Sequence, residues 1–198
     1  MMKGIEILAK SELYAGFFRL ALYRFRHRLF AGGWSAEIQR ELCERPHAVG
    51  VLPYDPAADK VVLIEQFRIG AWAAGLEAWQ TEIVAGFVEE GEAEAEVAHR
   101  EAREEASLEL SALLPICRYA VSPGGSSESV SLYCGRVDSR GAGGIHGLPE
   151  EHEDIRVEVL SFADAMRRLD EGAITNATSI IALQWLALNR DRVRAAWR

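Results

Sequence analysis

The stretch from Glu92 to Ser107 is rich in Ala and Glu and holds neither Gly nor Pro, which predicts a helix. At about 100° per residue, Glu104 and Glu105 fall within roughly 60° of Glu101 on either side, with Glu94 nearby. Ala95, Ala98, Ala102 and Ala106 form the adjoining face. A stripe of small residues lets such a helix lie close to a sheet, with the carboxylate row running along its edge. That row opposes its own helix. Like charges at i,i+4, as at Glu101 and Glu105, cost roughly 0.2–0.5 kcal/mol per pair, which Arg100 and Arg103 relieve in part. One reading is a solvated acidic face. The other is a divalent-cation site, where oxygen-only ligands suit Mg²⁺ or Mn²⁺ rather than Zn²⁺.

The rest of the chain tells what such a helix packs on. Residues 23–29 alternate Tyr, Phe, His and Leu with Arg24, Arg26 and Arg28, a half-exposed strand; Gly32-Gly33 is a turn, and Ser35 to Glu44 a second strand. Residues 1–45 therefore read as a small antiparallel β unit that ends at Pro46. Strands are expected at His47–Leu52, Lys60–Gln66, Thr81–Ala85, Ile116–Val121, Val130–Val137 and Ile155–Leu160, and helices at Phe162–Glu171 and from Thr178 to about Trp197. Pro53 to Asp59 is turn chemistry, and Ile69 to Trp79 a loop. Strands interleaved with a few helices give an α/β class fold.

Composition narrows the partners. With 198 residues, 49% hydrophobic and 26% charged, the chain suits one compact domain or one with a small appendage. A net charge of −8 repels a phosphate backbone, so the arginines interleaved with aromatics are read as a solvated face or partner contact and no nucleic-acid partner is expected. A phosphate-bearing substrate then needs a local cationic clamp or bound metal ions. No apolar run approaches the roughly 18 residues of a membrane span, and residues 1–10 lack a signal-type stretch, so the expected location is the cytoplasm. Cys43, Cys117 and Cys134 show no CxxC spacing and are read as buried reduced thiols. Without HExxH or a Cys/His cluster, zinc chemistry has no support. His99 and His152 read as surface residues.

Spacing decides between the two readings of the acidic helix. Gly86, Glu92, Arg100, Glu101, Glu104 and Glu105 stand in the register GX5EX7REUXEEXGU, with Ala102 and Leu108 at aliphatic U positions. At ordinary residue frequencies the fixed matches arise by chance in about one chain of this length in 10⁵. The segment resembles the Nudix box. One position departs: Ser107 stands where the family usually has Gly, which puts the left-handed helix cap in question rather than the carboxylates.

The resemblance implies a Nudix α/β/α sandwich, with the small N-terminal antiparallel β unit used in dimerisation and residues 46–198 forming the hydrolase domain. It also implies hydrolysis of a nucleoside diphosphate linked to another group. Nearly the whole chain is similar to one subfamily, the bacterial ADP-ribose pyrophosphatases. The similarity runs through residues 23–30, Val62-Leu-Ile-Glu-Gln66 with Arg68, Ser122-Pro-Gly-Gly125 with Glu128, residues 151–156 and Ile181-Ala-Leu-Gln-Trp185. In that subfamily a proline lies well downstream of the box, as Pro123 does here.

Carried over residue by residue, the resemblance makes Glu101, Glu105 and Glu153 metal ligands for Mg²⁺ (or Mn²⁺), with Glu104 supporting and the backbone carbonyl of Ala85 adding a ligand. Glu151, on a loop after the Gly-rich run 141–147, is the expected general base. Phe17 stacks on adenine, Arg40 contacts the nucleotide, Arg68 clamps phosphate and Glu128 holds the terminal ribose. The Ser122–Gly125 turn, which lacks the Lys of a P-loop, shapes the sugar pocket. Two subunits form a homodimer with a shared active site. The box does not separate ADP-ribose from another nucleotide sugar such as GDP-mannose. A non-catalytic ADP-ribose-binding module is a third reading, but such copies should lose box glutamates, and this chain keeps them all.

Overall fold

The computed structural model describes residues 4–148 and 152–197. It divides into two compact units. One holds the described residues of Met1–His47 together with Ala120–Ser129, the other those of Ala48–Tyr119 and Val130–Arg198.

The first unit is a three-stranded antiparallel sheet in the order β1 (Ile5–Ala15), β2 (Arg19–His27) and β3 (Ile38–Glu44). The alternating arginine segment is β2, although the strand starts earlier, at Arg19. The next strand begins at Ile38 rather than Ser35. Between them Gly32 and Gly33 turn the chain at φ 90° and 80°, values open to glycine at little cost. A segment distant in sequence joins β3: Cys43 N–H donates to Gly125 O at 2.9 Å and Ser127 N–H donates to Cys43 O at 3.1 Å.

The second unit is built on one sheet. Its strands are β4 (Ala48–Asp55), β5 (Lys60–Phe67), β6 (Trp79–Glu82), β7 (Val84–Phe87), β8 (Ala112–Ala120), β9 (Ser129–Arg136), β10 (Gly144–His146) and β11 (Ile155–Ser161). The path runs β10-β11-β5-β4-β9-β8, with β4 and β9 parallel. β4 and β5 pair directly only at their turn end, Tyr54 with Val61 and Asp55 with Lys60. Beyond it they part, and β6 pairs with β5 while β7 pairs with β4. The single strand expected over Thr81–Ala85 is thus two strands that change partner at Ile83. Ile83 N–H is met there by the Ser179 hydroxyl, 2.9 Å away.

Helices α1 (Ile69–Ala73), α2 (Glu94–Ala106), α3 (Phe162–Asp170) and α4 (Ala177–Ala196) complete the unit. Alternation along the strands assigns the faces. Val49, Val51, Val62, Ile64 and Val84 pack with Val97, Ala98, Ala102 and Ala106 of α2. Leu52, Tyr54, Val61, Leu63 and Ile83 pack with Ala165 of α3 and with Ala182, Leu183 and Leu186 of α4. The sheet is therefore covered on both faces, which is why Val61–Ile64 reads as an unbroken apolar run. Among the described residues no helix is long and apolar enough to cross a membrane.

Several expectations shift. Ala95 is exposed, so the buried alanine stripe begins at Ala98. The expected loop after Ile69 contains α1, β8 starts at Ala112, and β10 lies unforeseen in the Gly-rich run. The thiols are free, but only Cys134 is buried; Cys117 is exposed because alternate positions of β8 face outward, and Cys43 is partly covered. Ser107 takes the left-handed cap itself, at φ 50° and ψ 39°, and the turn closes through Ser107 N–H to Arg103 O and Leu108 N–H to Ala102 O. A non-glycine residue there costs about 1–2 kcal/mol of backbone strain.

The turn expected from Pro53 narrows to residues 56–59, because β4 continues through Pro53 and Tyr54 to Asp55. Asp55, only 5% exposed, closes that turn. Its Oδ1 accepts from Ala57 N–H and Ala58 N–H at 3.0 Å each, and its Oδ2 from Ser139 N–H at 2.9 Å and the Ser139 hydroxyl at 2.8 Å. Burial alone would raise its pKa, but these donors outweigh it and hold the carboxyl below the ordinary aspartate range. The stability this contributes is present above that ordinary range and is lost as pH falls through the lowered value. Asp55→Ala should destabilise the fold by about 1–3 kcal/mol in urea unfolding at neutral pH. The variant should also lose less stability than the wild type on acidification.

Candidate active site

The acidic edge of α2 faces the strand that precedes it. A Cβ added at Gly86 of β7 would lie 1.6 Å from Glu101 Oε1 and 2.0 Å from its Cδ. The Glu101 carboxylate thus occupies the space that a side chain at position 86 would fill, and this is the steric reason for glycine there. One turn along the helix, Glu105 is 4% exposed and its Oε2 accepts from Ala85 N–H at 3.0 Å. A carboxylate that deep is costly. Burial, reinforced by the charges of Glu101 and Glu153, pushes the Glu105 carboxyl well above the usual range despite the Ala85 hydrogen bond. Burial also raises Glu101, with Glu104 and Glu153 adding to it and Arg100 pulling the other way.

Arg100 is the counterweight. Its Nη1 donates to Glu101 Oε1 at 2.7 Å and to Glu104 Oε2 at 3.1 Å. Its Nε donates to Glu92 Oε1 at 2.9 Å, and its Nη2 to Phe87 O at 3.2 Å. One guanidinium therefore joins the helix edge to the loop between β7 and α2. Glu92 first, then Glu101 and Glu104, hold it above the ordinary arginine range.

A second cation stands by the row. Arg68 follows β5, and its side chain is 46% exposed. Its Nε and Nη2 donate to Glu82 of β6, the shortest bond being 2.8 Å. Burial of part of the guanidinium is outweighed by Glu82, with further support from the charges of Glu105 and Glu153. Glu153 comes from the segment before β11. Its Oε2 accepts from Leu148 N–H at 3.1 Å, and its own N–H donates to Leu148 O at 3.3 Å. Gly147, at φ 100°, lets this pinch form, since a Cβ there would be 2.7 Å from Glu153 Cβ. Beside this segment an open depression of about 630 Å³ is lined by Glu65, Glu77, Trp79, Ile145, Asp154 and Arg156.

Glu101, Glu105 and Glu153 thus repel one another across a short span, with Arg68 at its margin. The donor set is oxygen alone, which fits a hard divalent cation. Among the described residues no three His, Cys, Asp or Glu side chains form a ready-made cage. Carboxylates presented singly suit an ion that keeps waters and takes further oxygens from a bound diphosphate.

Three of the remaining expected residues belong to the first unit. Phe17 sits in the turn between β1 and β2, 87% exposed and edge-on to Phe18. Arg40 lies on β3, exposed, opposite Tyr23. Glu128, also in the first unit, pairs with Arg45 at 3.1 Å. Glu151 lies outside the described residues. Sequence reasoning missed Glu82 as the partner of Arg68. Its place inside the strand expected at Thr81–Ala85 carried no distinguishing signal. It also missed the steric need for Gly86, which the fixed glycine of the box contained without explaining.

The NUDIX domain signature covers residues 44–183, and the family generally uses a divalent metal. The ADP-ribose pyrophosphatase of Escherichia coli (strain K12) is 51% identical over 193 residues, spanning 98% of this chain and 92% of the relative. That of Haemophilus influenzae is 44% identical over 199 residues, spanning 99% and 92%. A crystal structure described as an ADP compounds hydrolase superposes with a TM-score of 0.73 at 18% identity, covering 98% of both chains, and at that identity the likeness speaks for the fold. The chain belongs to the Nudix hydrolase family.

Proposed function

We propose that the protein hydrolyses the diphosphate of ADP-ribose to AMP and ribose 5-phosphate, with Mg²⁺ as the working ion and Mn²⁺ as a substitute. The observation that carries this is the near full-length likeness to two proteins that bear this activity in their names, in a chain whose box glutamates form a carboxylate row with Glu105 buried at its deep end and Glu101 and Glu104 half-buried.

Glu101, Glu105 and Glu153 hold the cation, Glu104 supports them, and the Ala85 carbonyl adds an oxygen. When bound, such an ion supplies positive charge against the diphosphate and makes a nearby water more acidic. Arg68, oriented by Glu82, takes a phosphate oxygen. Glu151 accepts a proton from the attacking water. A new P–O bond forms, the bridging P–O bond breaks, and the leaving phosphate departs as a monoester. Phe17 and Arg40 serve adenine and the nucleotide, and Glu128, fixed by Arg45, serves the terminal ribose. The N-terminal unit pairs two subunits so that each contributes to the other's adenosine site. The cytoplasm is the expected place of action.

Product analysis of ADP-ribose in ¹⁸O-labelled water, with and without Mg²⁺, tests the reading directly. AMP and ribose 5-phosphate, one of them labelled, should form only with the ion. Higher kcat/KM for GDP-mannose would move the substrate to another nucleotide sugar, and calorimetric binding without products would make the chain a binding module.

Two variants separate chemistry from folding. Glu105→Gln should lower kcat by about 10²–10³-fold while the metal-free thermal midpoint holds or rises, because a buried like charge is removed. Gly86→Ala should displace the Glu101 carboxylate and lower kcat by about 10²-fold. Near wild-type turnover in either would remove the assigned role of the row.

A further inference from the structure

The left-handed cap of α2 carries a side chain where the box pattern needs none. Ser107 Oγ lies 3.1 Å from His146 Nδ1, and His146 Nε2 lies 2.8 Å from Gly143 O. A carbonyl only accepts, so Nε2 bears the hydrogen. In the neutral ring Nδ1 then accepts from the Ser107 hydroxyl.

His146 stands one residue before Gly147, where the chain enters the pinch with Glu153. The path from the catalytic helix to that carboxylate is therefore short: the end of α2, Ser107, His146, Gly147, Leu148, Glu153. A cavity of about 290 Å³, lined by Ser107, Leu108, Gly141, Ala142 and His146 among others, lies alongside. The polar link, rather than close packing, spans that gap. Four glycines of the run, Gly141, Gly143, Gly144 and Gly147, all have positive φ, so the backbone there has little stiffness of its own.

We infer that Ser107 and His146 are positioning residues: their hydrogen bond ties the Gly-rich run to the end of α2 and sets the Leu148–Glu153 pinch that orients the Glu153 carboxylate. The inference rests on the proposed hydrolysis, with Glu153 among the groups that hold the cation. Preorganisation of this kind acts on the chemical step more than on binding. It also gives the strained serine cap a use that glycine would not supply.

Ser107→Gly isolates the hydroxyl, because glycine keeps the left-handed turn and relieves its strain. The thermal midpoint should stay equal or rise, and amide exchange at His146, Gly147 and Leu148 should quicken. For ADP-ribose, kcat should fall about three- to tenfold with KM unchanged. His146→Phe should lower kcat by a similar factor, and the double variant should fall no further than the lower single variant. A purely structural role would lower the midpoint and leave the kcat-to-KM split unmoved. Unchanged exchange in Ser107→Gly would overturn the tether, and quicker exchange with wild-type kcat would overturn its positioning role. Should the wild type fail to hydrolyse ADP-ribose, the proposed function falls, while the exchange comparison still decides the tether.

Discussion

The structure of the site depends on holding like charges together. Glu101 fits against a backbone with no side chain at Gly86, Glu105 is buried on the Ala85 N–H, and Arg100 bonds the outer edge of the row. Desolvation and mutual repulsion both oppose this arrangement, and Arg100 answers it only at Glu101 and Glu104. Deeper, at Glu105, the Ala85 N–H and the charge of Arg68 offset burial and repulsion only in part, and there a divalent cation and an anionic diphosphate would balance each other.

The sheet makes that geometry possible. β4 and β5 part beyond their turn, and β6 and β7 take the places between them. β7 thereby carries Ala85 and Gly86 against α2, while β6 carries Glu82 to Arg68. The partner change at Ile83 is held from the opposite face by Ser179, whose N–H is in turn accepted by the Asn176 cap of α4. The helix layer far from the acidic row thus helps to fix the strand that holds it.

What the sequence discloses follows its local periods. The faces of α2 were legible because alanine and glutamate repeat at helical spacing, and the box register gave its carboxylates a chemical meaning. The apolar runs of β4 and β5 were legible as strands. The split at Ile83 was not, because it is decided by a hydroxyl 96 residues away. The junction of Ala120–Ser129 with β3 was hidden for the same reason. Ser107 looked like a defect in the helix cap; the fold absorbs it, since the hydrogen bonds of the cap come from the backbone. For Phe17, Arg40 and Glu128 the residues alone carried little, and their roles came from resemblance.

Mn²⁺ binding followed by electron paramagnetic resonance tests the central claim most directly, since it reads the ion without turnover. Wild-type protein with a non-hydrolysable ADP-ribose analogue should bind Mn²⁺, and the Glu101→Gln, Glu105→Gln double variant should bind it at least about tenfold more weakly. Equal binding by the two proteins would contradict the role given to the carboxylate row.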